Sequence, residues 1–260
     1  MKIGLDLSVQ YLNSIKRVIV IPTYHESETL PALVAELAKS LSVSDAVLVL
    51  DDSPSDVFED TKLNTQIQVG NSNCHLLFES SKFKGGRGAA VRRGMLFAAE
   101  RFPNLEFLVE CDADGSHQAH DIIRVLNAAQ NYDLVIGSRY LSESKILGWS
   151  KPRKILSRLL NTFIPKLFRL PVKDITNGLR RYSKVAVNLI ISKTPINLGF
   201  TYLTEQAYIV NQNRLLIVEI PIEFAERVAG VSSVTWKEIL NSFKGVLNLR
   251  LKTMRSEINE

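Results

Sequence analysis

The chain reads as an α/β fold, a mostly parallel central sheet with helices on both faces. Short apolar runs rich in valine, isoleucine and leucine recur around residues 17–21, 46–50, 76–78, 107–111 and 134–136. Stretches with helical apolar spacing lie between them, and several runs stop at acidic or glycine-bearing residues. Strands that alternate with helices need crossovers rather than hairpins. Crossovers place helices over both faces and bury the strands, which explains their near-continuous apolar character.

In order, a weakly patterned tail over 1–15 precedes a buried strand at 17–21 that is closed by Pro22-Thr23. Residues 28–41 carry apolar positions at helical spacing, and the second run ends in Asp51-Asp52. A third strand at 76–78 leads to the glycine-rich Lys84 to Gly88, which opens an alanine-rich helix running to about Arg101. A strand at 107–111, a helix at 119–130 and a strand at 134–136 follow. In such sheets the ligand lies beyond the carboxyl ends of the strands. That edge collects Tyr24, Glu26, Asp51, Asp52, Asp112 and Asp114.

No repeat, low-complexity tract or Pro/Ser-rich linker divides the chain. The expected organisation is an N-terminal tail (1–15), one catalytic domain (16–235) and a basic amphipathic C-terminal helix or extension (236–260). The pattern over 237–252 suits packing on the domain or lying on a membrane.

With 260 residues, 45% of them hydrophobic, the chain can bury a substantial core and is neither disordered nor fibrous. No apolar run approaches the roughly 18 residues of a spanning helix, and no signal-like segment opens the chain, so a cytoplasmic or peripheral membrane protein is expected. Cys74 and Cys111 lack metal-site or redox spacing and read as reduced thiols. The net charge is +5, and between 144 and 184 a dense run of lysines and arginines is opposed only by Asp174. An anionic partner is implied: nucleic acid, a lipid surface or a phosphorylated substrate. The alternative is a solvated basic face.

Asp112 and Asp114 stand one residue apart at the end of an apolar strand, a place to hold a hard divalent cation, Mg²⁺ or Mn²⁺, with positions left for phosphate oxygens. Gly85-Gly86-Arg87-Gly88 opens a helix and offers N–H groups to a phosphate, or serves only as a close-packed turn. It matches neither the dinucleotide fingerprint nor the Walker loop. His117 and His120 read as polar residues at a helix start, His117 lining the site, with Ser116 or Asp121 as the cap. Over 154–170, Ile155, Leu156, Leu159, Leu160, Phe163, Ile164 and Leu167 share a broad apolar face bordered by Arg158, Lys166 and Arg169. A core-facing helix is the ordinary reading; the lack of nearby acids favours an interfacial one.

Taken together, Ile21-Pro22-Thr23-Tyr24-His25-Glu26, Leu50-Asp51-Asp52, Gly86-Arg87-Gly88-Ala89-Ala90, Asp112-Ala113-Asp114-Gly115-Ser116-His117 and Ile136-Gly137-Ser138-Arg139-Tyr140 resemble a family 2 glycosyltransferase. Gly148-Trp149 with Arg153, Asp174 to Tyr182, Gly199-Phe200 with Glu205, and Pro221 to Phe224 with Arg227 resemble the dolichol-phosphate mannosyltransferases among them. The resemblance spans roughly residues 17 to 247. It implies a GT-A (Rossmann-like) nucleotide-sugar-binding fold, a divalent cation, a nucleotide-sugar donor and a polyprenyl phosphate acceptor (dolichyl or undecaprenyl), met on the cytoplasmic face of a membrane. Pro22, Tyr24, Glu26, Leu50 and Asp52 match positions that hold the nucleoside, and Asp112, Ala113 and Asp114 match the metal and diphosphate positions. Arg139 and Arg227 match phosphate-gripping arginines, and Arg153 a basic residue near the acceptor phosphate.

The implied reaction is inverting transfer of a hexose, with mannose from GDP-mannose the nearest example. Two departures stand out: His25 replaces the family's usual asparagine, and Ser233 replaces a lysine, with Lys237 in the next turn a candidate to take its place. Transfer to a sugar or protein hydroxyl instead would need a carboxylate base, and Glu205 and Asp174 are the motif-borne candidates. A non-catalytic nucleotide-sugar or anionic-lipid binding module is the reading from another class. No nucleic-acid partner is expected, because the basic segment has an apolar amphipathic face in place of exposed aromatics.

Overall fold

The computed structural model describes residues 9–81, 85–196, 199, 201–227 and 245–252. Strands β1 (Arg17–Thr23), β2 (Asp45–Asp51), β3 (His75–Ser80), β4 (Phe107–Glu110), β5 (Leu134–Ser138), β7 (Arg180–Ser183) and β8 (Ile217–Pro221) form one sheet in the order β3-β2-β1-β4-β7-β5-β8. Every adjacent pair is parallel except the two made by β7, which runs antiparallel between β4 and β5. The expected mostly parallel sheet is present. Its one reversed strand falls where the sequence offered only a basic motif.

Alternation along the strands sends side chains to two cores. Val18, Val20, Leu48 and Leu50 face one cluster with Met95 and Phe102, while Ile19, Ile21, Val47 and Val49 face the other with Leu37 and Val125. The first layer is built by α4 (Arg87–Arg101), α7 (Lys184–Ser192) and α8 (Tyr202–Gln212), the second by α2 (Leu30–Ala38) and α5 (Ala119–Leu126). The short strands β6 (Lys145–Ile146) and β9 (Glu223–Phe224) pair in parallel beside the site, where His117 bridges to Phe224.

Several boundaries differ from the sequence reading. The tail carries α1 (Val9–Ser14), and Ile15 is fully buried in the core. Helix α3 (Ser55–Val69) escaped the periodicity because two of its three buried positions are threonines, Thr61 and Thr65. The helix expected over 119–130 ends at Leu126, with Asn127 as its C-cap, and its N-cap is Gln118 rather than Ser116 or Asp121. The helix expected over 154–170 is α6 (Lys151–Phe168), which has two apolar sides. Ile164, Pro165 and Phe168 are buried, whereas Ile155 and Leu159 are each 62% exposed and Phe163 is 49% exposed. Residues 245–252 are helical, and Val246 and Leu249 pack into the first core, so this part of the C-terminal extension lies on the domain. Ser233 and Lys237 lie outside the described residues.

Candidate active site

The carboxyl ends of β1, β2 and β4 bring the predicted acidic residues to one edge. At the end of β2, Asp51 and Asp52 have different tasks. Asp51 is buried and its Oδ1 accepts the Ser53 N–H at 2.8 Å, closing a local turn. Ser53 Oγ in turn accepts the N–H of His25, whose φ of 59° is a left-handed conformation that asparagine would also tolerate. Asp52 faces the glycine loop: Oδ2 accepts the Gly85 N–H at 3.2 Å, and Oδ1 pairs with Arg93 Nη2 at 2.7 Å. The loop's visible work is to turn the chain at Gly86, where φ is 80°, and to start α4 at Arg87.

Arg87 is the principal residue that the sequence reading passed over. Its Nε donates to Asp112 Oδ1 at 2.6 Å, Nη1 to Glu110 Oε2 at 2.6 Å and Nη2 to the Gly178 carbonyl at 2.9 Å. A Cβ on Gly178 would lie 2.5 Å from that Nη2, so glycine there leaves room for the guanidinium. Glu110 is fully buried and also accepts the hydroxyls of Tyr182 and Tyr202, each at 2.6 Å. Burial pushes the Glu110 carboxyl above its ordinary pKa against the pull of Arg87 and Arg180. Burial acts on Asp112 in the same sense and is the largest single influence, but Arg87, His117 and Arg227 together outweigh it and hold Asp112 at about 2. Asp112 is therefore an anion throughout the physiological range.

Asp114 is buried beside it. Its Oδ1 accepts the N–H and hydroxyl of Ser116 at 3.0 and 2.5 Å, and its Oδ2 meets Arg227 Nε at 2.6 Å. Ser116 thus orients a carboxylate and does not cap a helix. His117 is held by a directed chain: the Asp112 N–H donates to Nδ1 at 3.0 Å, Nε2 bonds Asn177 Oδ1 at 2.8 Å, and Asn177 Nδ2 donates to the Gly137 carbonyl. Since Nδ1 accepts, the ring proton sits on Nε2. His117 supports the strand end, and His120 lies on the exposed side near Asp121.

Arg139, just past the end of β5, is nearly enclosed. Its Nε and Nη2 form a fork on Asp174, each at 2.8 Å, and Nη2 also reaches Thr176 Oγ1. Burial works against the Arg139 charge, but Asp174 outweighs it and raises the pKa. Trp149 lies between two guanidiniums, with Arg153 4.1 Å and Arg139 5.2 Å from its ring centre. Its indole N–H is buried and has no hydrogen-bond partner among the described residues. Arg153 also approaches Glu226 at 3.3 Å. Glu26 is half-buried, and burial raises its pKa. Tyr24 is exposed at the mouth, its ring 4.4 Å from that of His25.

The sequence-predicted residues therefore fall into two groups across one edge. Asp112, Ala113, Asp114, Arg227 and Glu26 cluster at the end of β4, with Pro22, Leu50 and Asp52 beside them on β1 and β2. Arg139 and Arg153 gather around Trp149. Neither carboxylate proposed as a base is free for that task. Asp174 is fully buried on Arg139, and Glu205 accepts the Ile196 N–H at 2.7 Å. Sequence reasoning missed Glu110, Tyr202 and Arg93 along with Arg87. A glutamate inside an apolar strand was the available signal.

An open α/β sheet with an aspartate pair at a strand end, a carboxylate against a glycine loop and arginines opposite defines a nucleotide-sugar-handling transferase of GT-A architecture. The glycosyl transferase family 2 profile matches residues 18–189. The chain belongs to that family and is a glycosyltransferase. It is 33% identical over 218 residues to the undecaprenyl-phosphate mannosyltransferase of Micrococcus luteus, covering 83% of this chain and 86% of that one. It is 30% identical over 226 residues to the polyprenol monophosphomannose synthase of Mycolicibacterium smegmatis, covering 86% and 83%. Among solved structures, glucosyl-3-phosphoglycerate synthase from Mycobacterium tuberculosis, in complex with Mg²⁺ and UDP, superposes with a TM-score of 0.61 at 15% identity, covering 95% and 83% of the two chains. That likeness concerns the fold.

Proposed function

We propose that the protein transfers a hexose, mannose from GDP-mannose in the nearest case, from a nucleotide sugar to a polyprenyl phosphate at a membrane surface. The single observation that carries the acceptor is the continuity of Trp149 with α6. Arg153, in the first turn of α6, stacks on Trp149 at 4.1 Å, and the same helix leaves Ile155, Leu159 and Phe163 bare beside exposed Lys151, Lys154, Arg158 and Lys166. A phosphate-binding arginine that runs into a bare, basic-fringed apolar stripe matches the two ends of a lipid phosphate. Both curated relatives carry polyprenyl phosphate chemistry in their names. Among the described residues no helix is long and apolar enough to cross a membrane, so α6 and the helix at 245–252, with Leu247 and Leu251 exposed, are the surfaces that would meet one. The expected location is peripheral, on the cytoplasmic face.

Asp112 and Asp114 fit a hard divalent cation by donor chemistry, since both present carboxylate oxygens. Among the described residues no group of three or more His, Cys, Asp or Glu side chains is placed to hold a metal ion, so Asp112 and Asp114 would share a cation with water and donor phosphate. Bound there, Mg²⁺ or Mn²⁺ would supply Lewis-acid stabilisation to the departing diphosphate. The residues do the rest by position. Asp52, Tyr24 and Glu26 hold the nucleoside end, Arg227 grips the diphosphate, and Arg139 and Arg153 aim the acceptor phosphate. A phosphate monoester is already anionic at neutral pH, so the reaction needs no general base, in keeping with the engagement of Asp174 and Glu205. Direct in-line displacement inverts the anomeric centre.

The test is to incubate the protein with Mn²⁺, a panel of labelled nucleotide sugars and a short polyprenyl phosphate, and to count label in the organic phase. Label should appear with one donor and vanish in Asp114→Ala. Labelled hydroxyl acceptors in place of labelled lipid, or no turnover with any donor, would overturn the proposal.

A further inference from the structure

Each carboxylate of the Asp112 and Asp114 pair already holds an arginine, and the two arginines are held very differently. Arg87 is locked from inside the fold by Asp112, Glu110 and the Gly178 carbonyl, with Tyr202 behind it at 5.6 Å. No exchange is open to it without stranding the buried Glu110. Arg227 approaches from the surface, its side chain 34% exposed, and among the described residues its recorded polar contact is the one with Asp114 Oδ2 at 2.6 Å. The other oxygen of Asp114 is fixed by Ser116. Oδ2 is therefore the exchangeable position of the pair.

We propose that Arg227 is a place-holder on Asp114, leaving when a divalent cation takes Oδ2 and closing on the donor diphosphate. This deepens the glycosyltransferase reading of the site and rests on it. With each carboxylate of the pair already held by a guanidinium, a bare cation must displace one arginine. A nucleoside diphosphate changes both conditions, because it supplies oxygens to the cation and receives the released Arg227. Cation and donor then load with positive coupling. By linkage, each tightens the other by the same factor.

The experiment measures Mn²⁺ binding to the full chain from the free-ion electron paramagnetic resonance signal, alone and with saturating GDP or UDP, each titration referenced to Mn²⁺ with the same nucleotide and no protein. Wild type, Arg227→Met and Arg227→Lys are compared, with thermal melts to confirm folding. In wild type, nucleotide should tighten Mn²⁺ by about tenfold or more. Arg227→Met should bind bare Mn²⁺ about tenfold more tightly than wild type and show a smaller nucleotide coupling, keeping the part that comes from diphosphate oxygens on the cation. Arg227→Lys, which keeps the charge without the fork, should fall between. Bare Mn²⁺ affinity and coupling both unchanged in Arg227→Met, with nucleotide binding intact, would overturn the exchange and leave the glycosyltransferase reading standing. Failure of wild type to bind Mn²⁺ with any nucleotide would sink that reading and the exchange with it.

Discussion

Glu110 shows how a single residue can be audible in a sequence and still be misheard. A carboxylate inside the strand Phe107–Glu110 is anomalous, because glutamate is rarely buried unless paired. Its partner Arg87 lies 23 positions away and on another element, so no local pattern joins them. Asp112 and Asp114 were legible for the opposite reason: their spacing and their place at a strand end are local properties. The network predicts an asymmetric response to mutation. Arg87→Met leaves Glu110 buried without its ion-pair partner, which should lower stability by about 3 kcal/mol. The remaining hydroxyl bonds from Tyr182 and Tyr202 hold the loss at the low end for a broken buried pair. Adding Glu110→Gln should recover a large part of that loss, as read from urea midpoints at constant m-value. Equal stability of the single and double variants would show that the ion pair is not what matters.

Helix α6 was predicted from periodicity, yet its periodicity could not say which side faced inward. Seven apolar positions over two sides read as one broad face, and only the packing of Ile164 and Phe168 assigned the core side. The strand β7 was hidden more deeply. Arg180-Arg181 counted towards a basic segment seeking an anion, but both are fully buried, with Arg180 and Arg181 donating to backbone carbonyls. Arg181 also stacks on Phe107 at 4.2 Å. The exposed basic residues of this region are instead the lysines and arginines along and around α6. Placing glutamate at Leu159 and Phe163 together should abolish sedimentation with anionic-lipid vesicles. Because both side chains are exposed, the melting temperature should stay close to that of wild type. Undiminished vesicle binding would remove α6 from the membrane contact.

At the level of the whole molecule, the mostly parallel sheet and the edge that carries the site follow from the alternation of strands and helices visible in the sequence, whereas the places of β7 and β8 in the sheet do not. Nor do the tertiary charge pairs, and they set the acid limit of the fold. Asp112 is held at about 2, and Asp45, bonded to Arg17 at 2.6 and 2.7 Å and to the N–H and hydroxyl of Ser42, also lies below its ordinary pKa because these contacts together outweigh the effect of burial. A folded-state pKa below the unfolded one adds stability that is complete above the unfolded value near 4 and is lost as pH falls through the folded value. From these two groups the ligand-free protein should lose stability steeply as pH falls between about 4 and 2, read from denaturant midpoints. Asp45→Asn should make that acid limb shallower.

The reversed strand β7 bears on how the chain is made. It is the strand that joins β4 to β5, so the sheet halves β3-β2-β1-β4 and β5-β8 meet only through residues 180–183. On the ribosome, β4 and β5 must emerge and wait with unpaired edges until the segment carrying Arg180 and Arg181 has left the exit tunnel. Exposed edges of this kind invite pairing with the wrong chain. Nascent chains arrested before residue 180 should accordingly be the aggregation-prone and chaperone-bound ones, and those arrested beyond β8 should resist protease.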